Sequence, residues 1–174
     1  MARVISFSLS SASIQKAKAE IDAYRKSLPA KTDELCRQIA ERIRSYAEEG
    51  FASAVSDTAI NRPDKPASAK VTVEVRGNSI YAVVAKGKDV VWAEFGAGVY
   101  YNGSAGTSPH PKGAELGYVI GGYGKGKGKR QVWGYFDDSG LVLTRGTPAS
   151  MPLYNALVRA RSEIASVARE VFSR

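Results

Sequence analysis

The sequence predicts an α+β fold: an antiparallel sheet of two hairpins, packed by N-terminal helices and a long C-terminal helix, with a long glycine-rich insert. Three observations carry that expectation. Apolar residues recur at helical spacing at both ends of the 174-residue chain. The period drops to two between positions 71 and 84, where Val71, Val73 and Val75 alternate with Thr72, Glu74 and Arg76. Residues 96–130 then hold 11 of the 17 glycines.

The first helix is expected over 11–27. Serines supply its N-cap, and Ile14, Ala17, Ile21 and Tyr24 share one face. Pro29 interrupts it and suits the first turn of a second helix, about 30–56. Leu35, Ile39, Ile43, Tyr46, Ala47, Phe51 and Ala54 form the apolar face of that helix, with Gly50 as a weak point. Residues 57–69 read as a loop with two prolines. Gly77 and Asn78 make the tight turn of the first hairpin, which returns through 79–84. The apolar stretch 89–95 fits a strand or a short helix equally. After the insert, 131–136 and 141–144 flank Asp137, Asp138, Ser139 and Gly140, the signal of a second hairpin. The last helix starts after Thr147 and Pro148, with Ser150 as N-cap. Leu153, Leu157, Ala160, Ile164, Val167 and Val171 are its expected inward stripe.

The length fits a single domain over 1–174 that buries a core without disulfide or metal support. Cys36 is the one cysteine and sits in an apolar helical pattern, so it reads as a small core residue, and a reducing compartment is expected. No apolar run reaches the length of a signal peptide core or a membrane span. Net charge is +8. Within the insert, Lys112, Lys125, Lys127, Lys129 and Arg130 face only Glu115 in charge, so the excess is local and implies a local partner.

Little in the chain points to catalysis, and no catalytic residue, metal ligand or cofactor is assigned. His110 is the lone histidine, between two prolines, and reads as plain surface; with one cysteine far from it, a zinc site has no ligand set. A Ser/His/Asp relay through His110 lacks the Gly-x-Ser-x-Gly elbow. Gly121, Gly126 and Lys127 have phosphate-loop spacing, but Gly128 stands where a magnesium-binding hydroxyl belongs, and a strand pattern follows. Glu94 stands among Val90, Val91, Trp92 and Phe95, so it is either half-buried and paired or faces a partner. Lys125, Lys127, Lys129 and Arg130 with Tyr118 and Tyr123 combine cations with stacking rings, which suits nonspecific nucleic-acid binding as the alternative to protein contact.

Two segments carry a resemblance. Val91, Trp92, Ala93, Glu94, Phe95, Gly96, Ala97 and Gly98 follow the first hairpin. Thr147, Pro148, Ala149, Ser150, Met151, Pro152, Leu153 and Tyr154 lead into the closing helix. In this order the chain resembles the gene-product-ten-like tail-component family of long-tailed bacteriophages, the neck or tail-completion proteins, over about 30–172. Met151 and Tyr154 with Asn155 depart from the usual wording of the second segment.

The resemblance implies a virion structural protein of the head–tail junction, made in the bacterial cytoplasm, with no enzymatic activity. It implies a homo-oligomeric ring around the DNA path, with head-completion or connector proteins on one side and tail terminator or tube proteins on the other. DNA would pass without sequence-specific contact, and no membrane is involved. Assembly residues would be Trp92, Glu94, Phe95, Gly96, Tyr118, Tyr123, Lys125, Lys127, Lys129, Arg130, Pro148 and Pro152. Phe95 would enter the core and Gly96 would permit the turn into the insert. The insert would act as an assembly arm that folds on a protein partner, because a basic arm in the channel would grip DNA.

Overall fold

The computed structural model describes residues 8–97, 108–117 and 132–173. Within them the α+β class holds: a long N-terminal helix and a C-terminal helix pack with two-stranded antiparallel ladders.

Helix α1 runs Ser11–Ser53 without a break. Ser10 caps it, its side chain accepting from the Ser13 amide at 3.3 Å. Two helices were expected here, divided at Pro29, and the structure corrects that. Proline removes only one backbone hydrogen bond. Pro29 and Arg25, whose carbonyl loses its donor, both lie on the exposed side, where water can replace the bond. Ser27 donates to the Tyr24 carbonyl at 2.7 Å in the same turn.

Helix α3, Pro152–Ser173, lies antiparallel against the second half of α1. The pairings fix the direction: Gly50 meets Pro152, Glu49 meets Arg159, Arg42 and Tyr46 meet Glu163, and Lys31 meets the Phe172 carbonyl. A Cβ on Gly50 would stand 2.8 Å from the Pro152 Cβ, so the glycine leaves room there for the start of α3. Apart from Phe51, the buried residues of the two helices' packed stretches are small: Ala40 and Ala47 on α1, Ala156, Ala160, Val167 and Val171 on α3. Leu157 and Ile164, expected inside, are exposed. Alanines at the contact let the helix axes come close, and the larger side chains turn outward. N-terminal to Lys31, α1 continues past the end of α3, and Ile14 and Ile21 are exposed there.

The strands form three separate ladders rather than one sheet. α1 stops at Ser53, short of the expected end near 56; β1 (Val55–Asp57) takes those last positions and pairs with β2 (Lys65–Pro66), which lies inside the stretch expected as loop. β3 (Lys70–Gly77) and β4 (Ile80–Lys86) form the first hairpin, turning at Asn78 and Ser79, one residue later than expected. Val71 and Val83 of this hairpin pack with Ala47, Phe51, Ala54, Ala93 and Ala156 as the main core. β5 (Trp133–Asp137) and β6 (Gly140–Thr144) form the second hairpin, in the expected place. It is tied to the frame along β6 by residues 58–61. The Ile60 amide donates to the Leu143 carbonyl at 2.7 Å. The Asn61 side chain donates to the Leu141 carbonyl and accepts from the Leu143 amide, taking the place of a strand. The undecided stretch before Gly96 is a helix, α2, Val90–Phe95.

Candidate functional site

The two segments that carry the resemblance meet. α2 runs beside the residues entering α3, and the chain is stitched there at three levels. Ala97 and Thr147 exchange backbone hydrogen bonds at 3.0 and 2.8 Å. The Ser150 amide donates to the Ala93 carbonyl at 2.9 Å. The Glu94 carboxylate then reaches the first turn of α3, where Oε2 accepts from the Leu153 amide at 2.8 Å and Oε1 from the Tyr154 amide at 2.9 Å.

These amides are among the four that a helix start leaves without internal partners, and a carboxylate there also lies at the positive end of the helix dipole. Glu94 therefore caps α3 from another element. Ser150, the expected N-cap, lies too early: α3 begins at Pro152, and Met151 precedes it with φ 52°, the left-handed region. Proline at 152 disfavours the right-handed helical region for Met151, so the helix starts at the proline itself.

A third donor comes from the insert. His110 Nε2 lies 3.2 Å from Glu94 Oε1, and both side chains are buried, the residues being 8% and 4% exposed. His110 Nδ1 accepts from the Lys112 amide at 3.0 Å, so the ring hydrogen sits on Nε2 and points at Glu94. The ring packs on Phe95 at 4.4 Å between centroids and edge-on to Tyr154 at 5.3 Å. Ser108 donates its hydroxyl hydrogen to the Phe95 carbonyl and accepts from the His110 amide at 3.2 Å. Residues 108–117, inside the stretch expected as an arm, are thereby seated against α2 and α3. The plain-surface reading of His110 is overturned, because Glu94 and two aromatic rings offer it more than water does.

The other expected residues scatter. Trp92 is exposed on α2 and Phe95 is half-buried against His110. Gly96 ends α2 at φ 83°, a conformation that favours glycine. Pro148 is exposed and Pro152 is buried against Gly50. Glu94, expected at an interface, is occupied inside its own chain. Tyr118, Tyr123, Lys125, Lys127, Lys129 and Arg130 lie outside the described residues.

Among the described residues no serine hydroxyl is placed at a His110 ring nitrogen. A nucleophilic serine needs its oxygen at a histidine nitrogen that can take a proton, and both His110 nitrogens are engaged elsewhere. Among the described residues no group of three or more His, Cys, Asp or Glu side chains could hold a metal ion, and no helix is long and apolar enough to cross a membrane. The cluster joins α2, the 108–117 turn and α3. The Glu94–His110 link was not legible in the sequence. Its one trace was a glutamate inside an apolar run, which must be paired if it is buried. No family model, curated protein or solved structure matches the chain.

Proposed function

We propose that this chain is a structural virion protein of the phage head–tail junction, a neck or tail-completion ring subunit that helps join the DNA-filled capsid to the tail. One observation carries the reading. The two segments behind the resemblance are one hydrogen-bonded unit, since Glu94 of the first caps the helix opened by the second, and Ala97 pairs with Thr147. Each segment thus supports the other within the frame, which is what supports the reading.

The same unit roots the insert. His110 fixes residues 108–117 to the frame, and Lys125, Lys127, Lys129 and Arg130, later in the insert, carry the charge that would meet a neighbouring subunit or ring. Such a subunit needs a rigid base and a reaching element, and heterologous contacts that close give a ring. Electron microscopy of assembled particles, with the chain carrying an epitope tag, tests this. Density for the tag in a ring at the neck is the expected result, and a neck without it defeats the reading. The nucleic-acid alternative rests on the charge of the insert; DNA affinity of the purified chain that falls steeply with salt would favour it.

A further inference from the structure

The second hairpin keeps one face inside and leaves the other open. Cross-strand pairing puts Trp133 with Thr144 and Tyr135 with Val142 on the inner face, where Val142 and Thr144 are fully buried. Gly134 with Leu143 and Phe136 with Leu141 fall on the outer face. Ile60, opposite Leu143 in the segment along β6, joins them. Phe136 is 81% exposed, Leu141 50%, Ile60 49% and Leu143 37%. The two leucines lean over Gly134, where an added Cβ would meet them at 3.2 and 3.4 Å, so the patch is continuous. By the usual areas of these side chains it leaves roughly 450 Å² of apolar surface in water, the size of a functional patch rather than of scattered exposure.

The patch carries opposite charges at its two ends. Asp138 is exposed at the hairpin tip, and its neighbour Asp137 is neutralised by Arg62. Arg145 is exposed at the base and, by strand alternation, on the side of Leu141 and Leu143. The ends are about 20 Å apart at strand rise. A strip with this polarity complements itself when turned by half a revolution, because each Asp138 then meets the other copy's Arg145 while the apolar middles stack.

We propose that this face binds a second copy of the same chain, sheet face to sheet face, about a two-fold axis. The contact is isologous and closes on two copies. It differs from any contact that repeats around a ring and does not depend on the head–tail reading. Two such patches with their rims bury about 1,000 Å², at the lower limit of specific interfaces, so the dimer is a weak one.

Sedimentation velocity of the purified full-length chain, from about 1 to 100 µM, tests it in the range where weak interfaces dissociate. The mass is expected to rise from monomer to dimer and stop there. Phe136→Asp is expected to remain monomeric throughout. Asp138→Arg and Arg145→Asp each break two pairs, because the axis repeats every substitution, and each is expected to weaken association about tenfold. The double exchange is expected to restore it. Circular dichroism checks that each variant folds; should Phe136→Asp fail to, the charge exchange at two exposed positions still decides. A wild-type chain that stays monomeric overturns the proposal and leaves the face to a different protein. Association that ignores Phe136→Asp, or that the double exchange does not rescue, overturns it as well. No particles are involved, so failure here leaves the neck reading standing, and a neck lacking the protein leaves this result standing.

Discussion

The Glu94 junction and the outer face of the second hairpin invert the usual sorting of side chains in opposite directions. At the junction a carboxylate and an imidazole lie inside; on the hairpin a phenylalanine and three aliphatic side chains lie in water. Apolar side chains elsewhere face both ways, so single exposed leucines teach little. The junction is polar and internally complete, since each carboxylate oxygen has a donor. The hairpin face is apolar and incomplete. The first is where the fold holds itself together, and the second is where it has something left to offer. Substitutions should therefore move stability strongly at the junction and hardly at all on the face.

The largest effect is expected at Glu94. Glu94→Ala leaves two amides at the α3 start and the His110 Nε2–H without their acceptor, in a site closed to water. Each orphaned buried donor costs about 1–3 kcal/mol, and the cap alone about 1. A loss near 3 kcal/mol is expected, lowering the thermal midpoint by about 10 °C. Glu94→Gln keeps the shape but turns an amide NH₂ toward a donor, so roughly half the loss should remain. A thermal melt in which Glu94→Ala matches wild type would break the contrast between the two regions.

The next effect sharpens what sits beside the junction. Gly50→Ala sets two terms against each other. Alanine gains about 1 kcal/mol of helix propensity over glycine. Its Cβ would stand 2.8 Å from Pro152, whose ring is rigid and forms the first turn of α3. Overpacking of this kind costs about 1–3 kcal/mol, so a net loss of about 1 kcal/mol is expected in chemical denaturation. A gain would mean that α3 can slide along α1, and the cap at Leu153 and Tyr154 would then be less rigid than its geometry implies.

How legible these regions were follows from the same physics. The hairpins were legible because period two and turn residues are local signals, although of the alternating valines of β3 Val71 is buried and Val75 lies in water. The single α1 was not, because the rule that proline ends helices yields when the orphaned carbonyl faces water, and position on the final surface is not a local property. The inner face of α3 was misread for a related reason. Leu157 and Ile164 outrank Ala156 and Ala160 in hydrophobicity, yet the alanines permit close approach to α1 and so take the interface. At the site, Glu94 stood out as a charge in an apolar run. His110 gave no sign, because it lies within the insert and only tertiary packing brings it to Glu94. The outer hairpin face had an expected strand pair but no indication that Phe136, Leu141 and Ile60 would share one uncovered surface.

A smaller effect concerns acid. Asp137 is held far below the ordinary carboxylate range, first by the Ser139 hydroxyl and then by Arg62. Glu163 is lowered by the Tyr46 hydroxyl and, more weakly, by Arg42, against partial desolvation. For both, the folded pKa lies below the unfolded one. Their contribution is complete above the unfolded value, near 4, and is lost as pH falls toward the folded one. The thermal midpoint should therefore decline between about pH 4 and pH 2. Tyr46→Phe removes the strongest influence on Glu163 while keeping a ring under Arg159, which stacks at 3.6 Å, so its decline should be shallower. An equal slope in both proteins would assign the acid response to other carboxylates.

The smallest effect is the one that most directly separates the two regions. Phe136→Ser removes the largest side chain on the hairpin face. The ring is 81% exposed and lies opposite the likewise exposed Leu141. Little apolar area returns to water when it is deleted, and serine is tolerated in an exposed strand at small cost. The monomer's unfolding free energy is expected to change by less than about 0.5 kcal/mol, read by denaturant titration below about 1 µM, where a weak dimer has dissociated. At higher protein concentration the wild type gains stability from association and the variant does not, so the two curves should separate as concentration rises. Curves already separated at the lowest concentration would mean that Phe136 stabilises its own subunit, and the division between a complete junction and an open face would have to be redrawn at the hairpin.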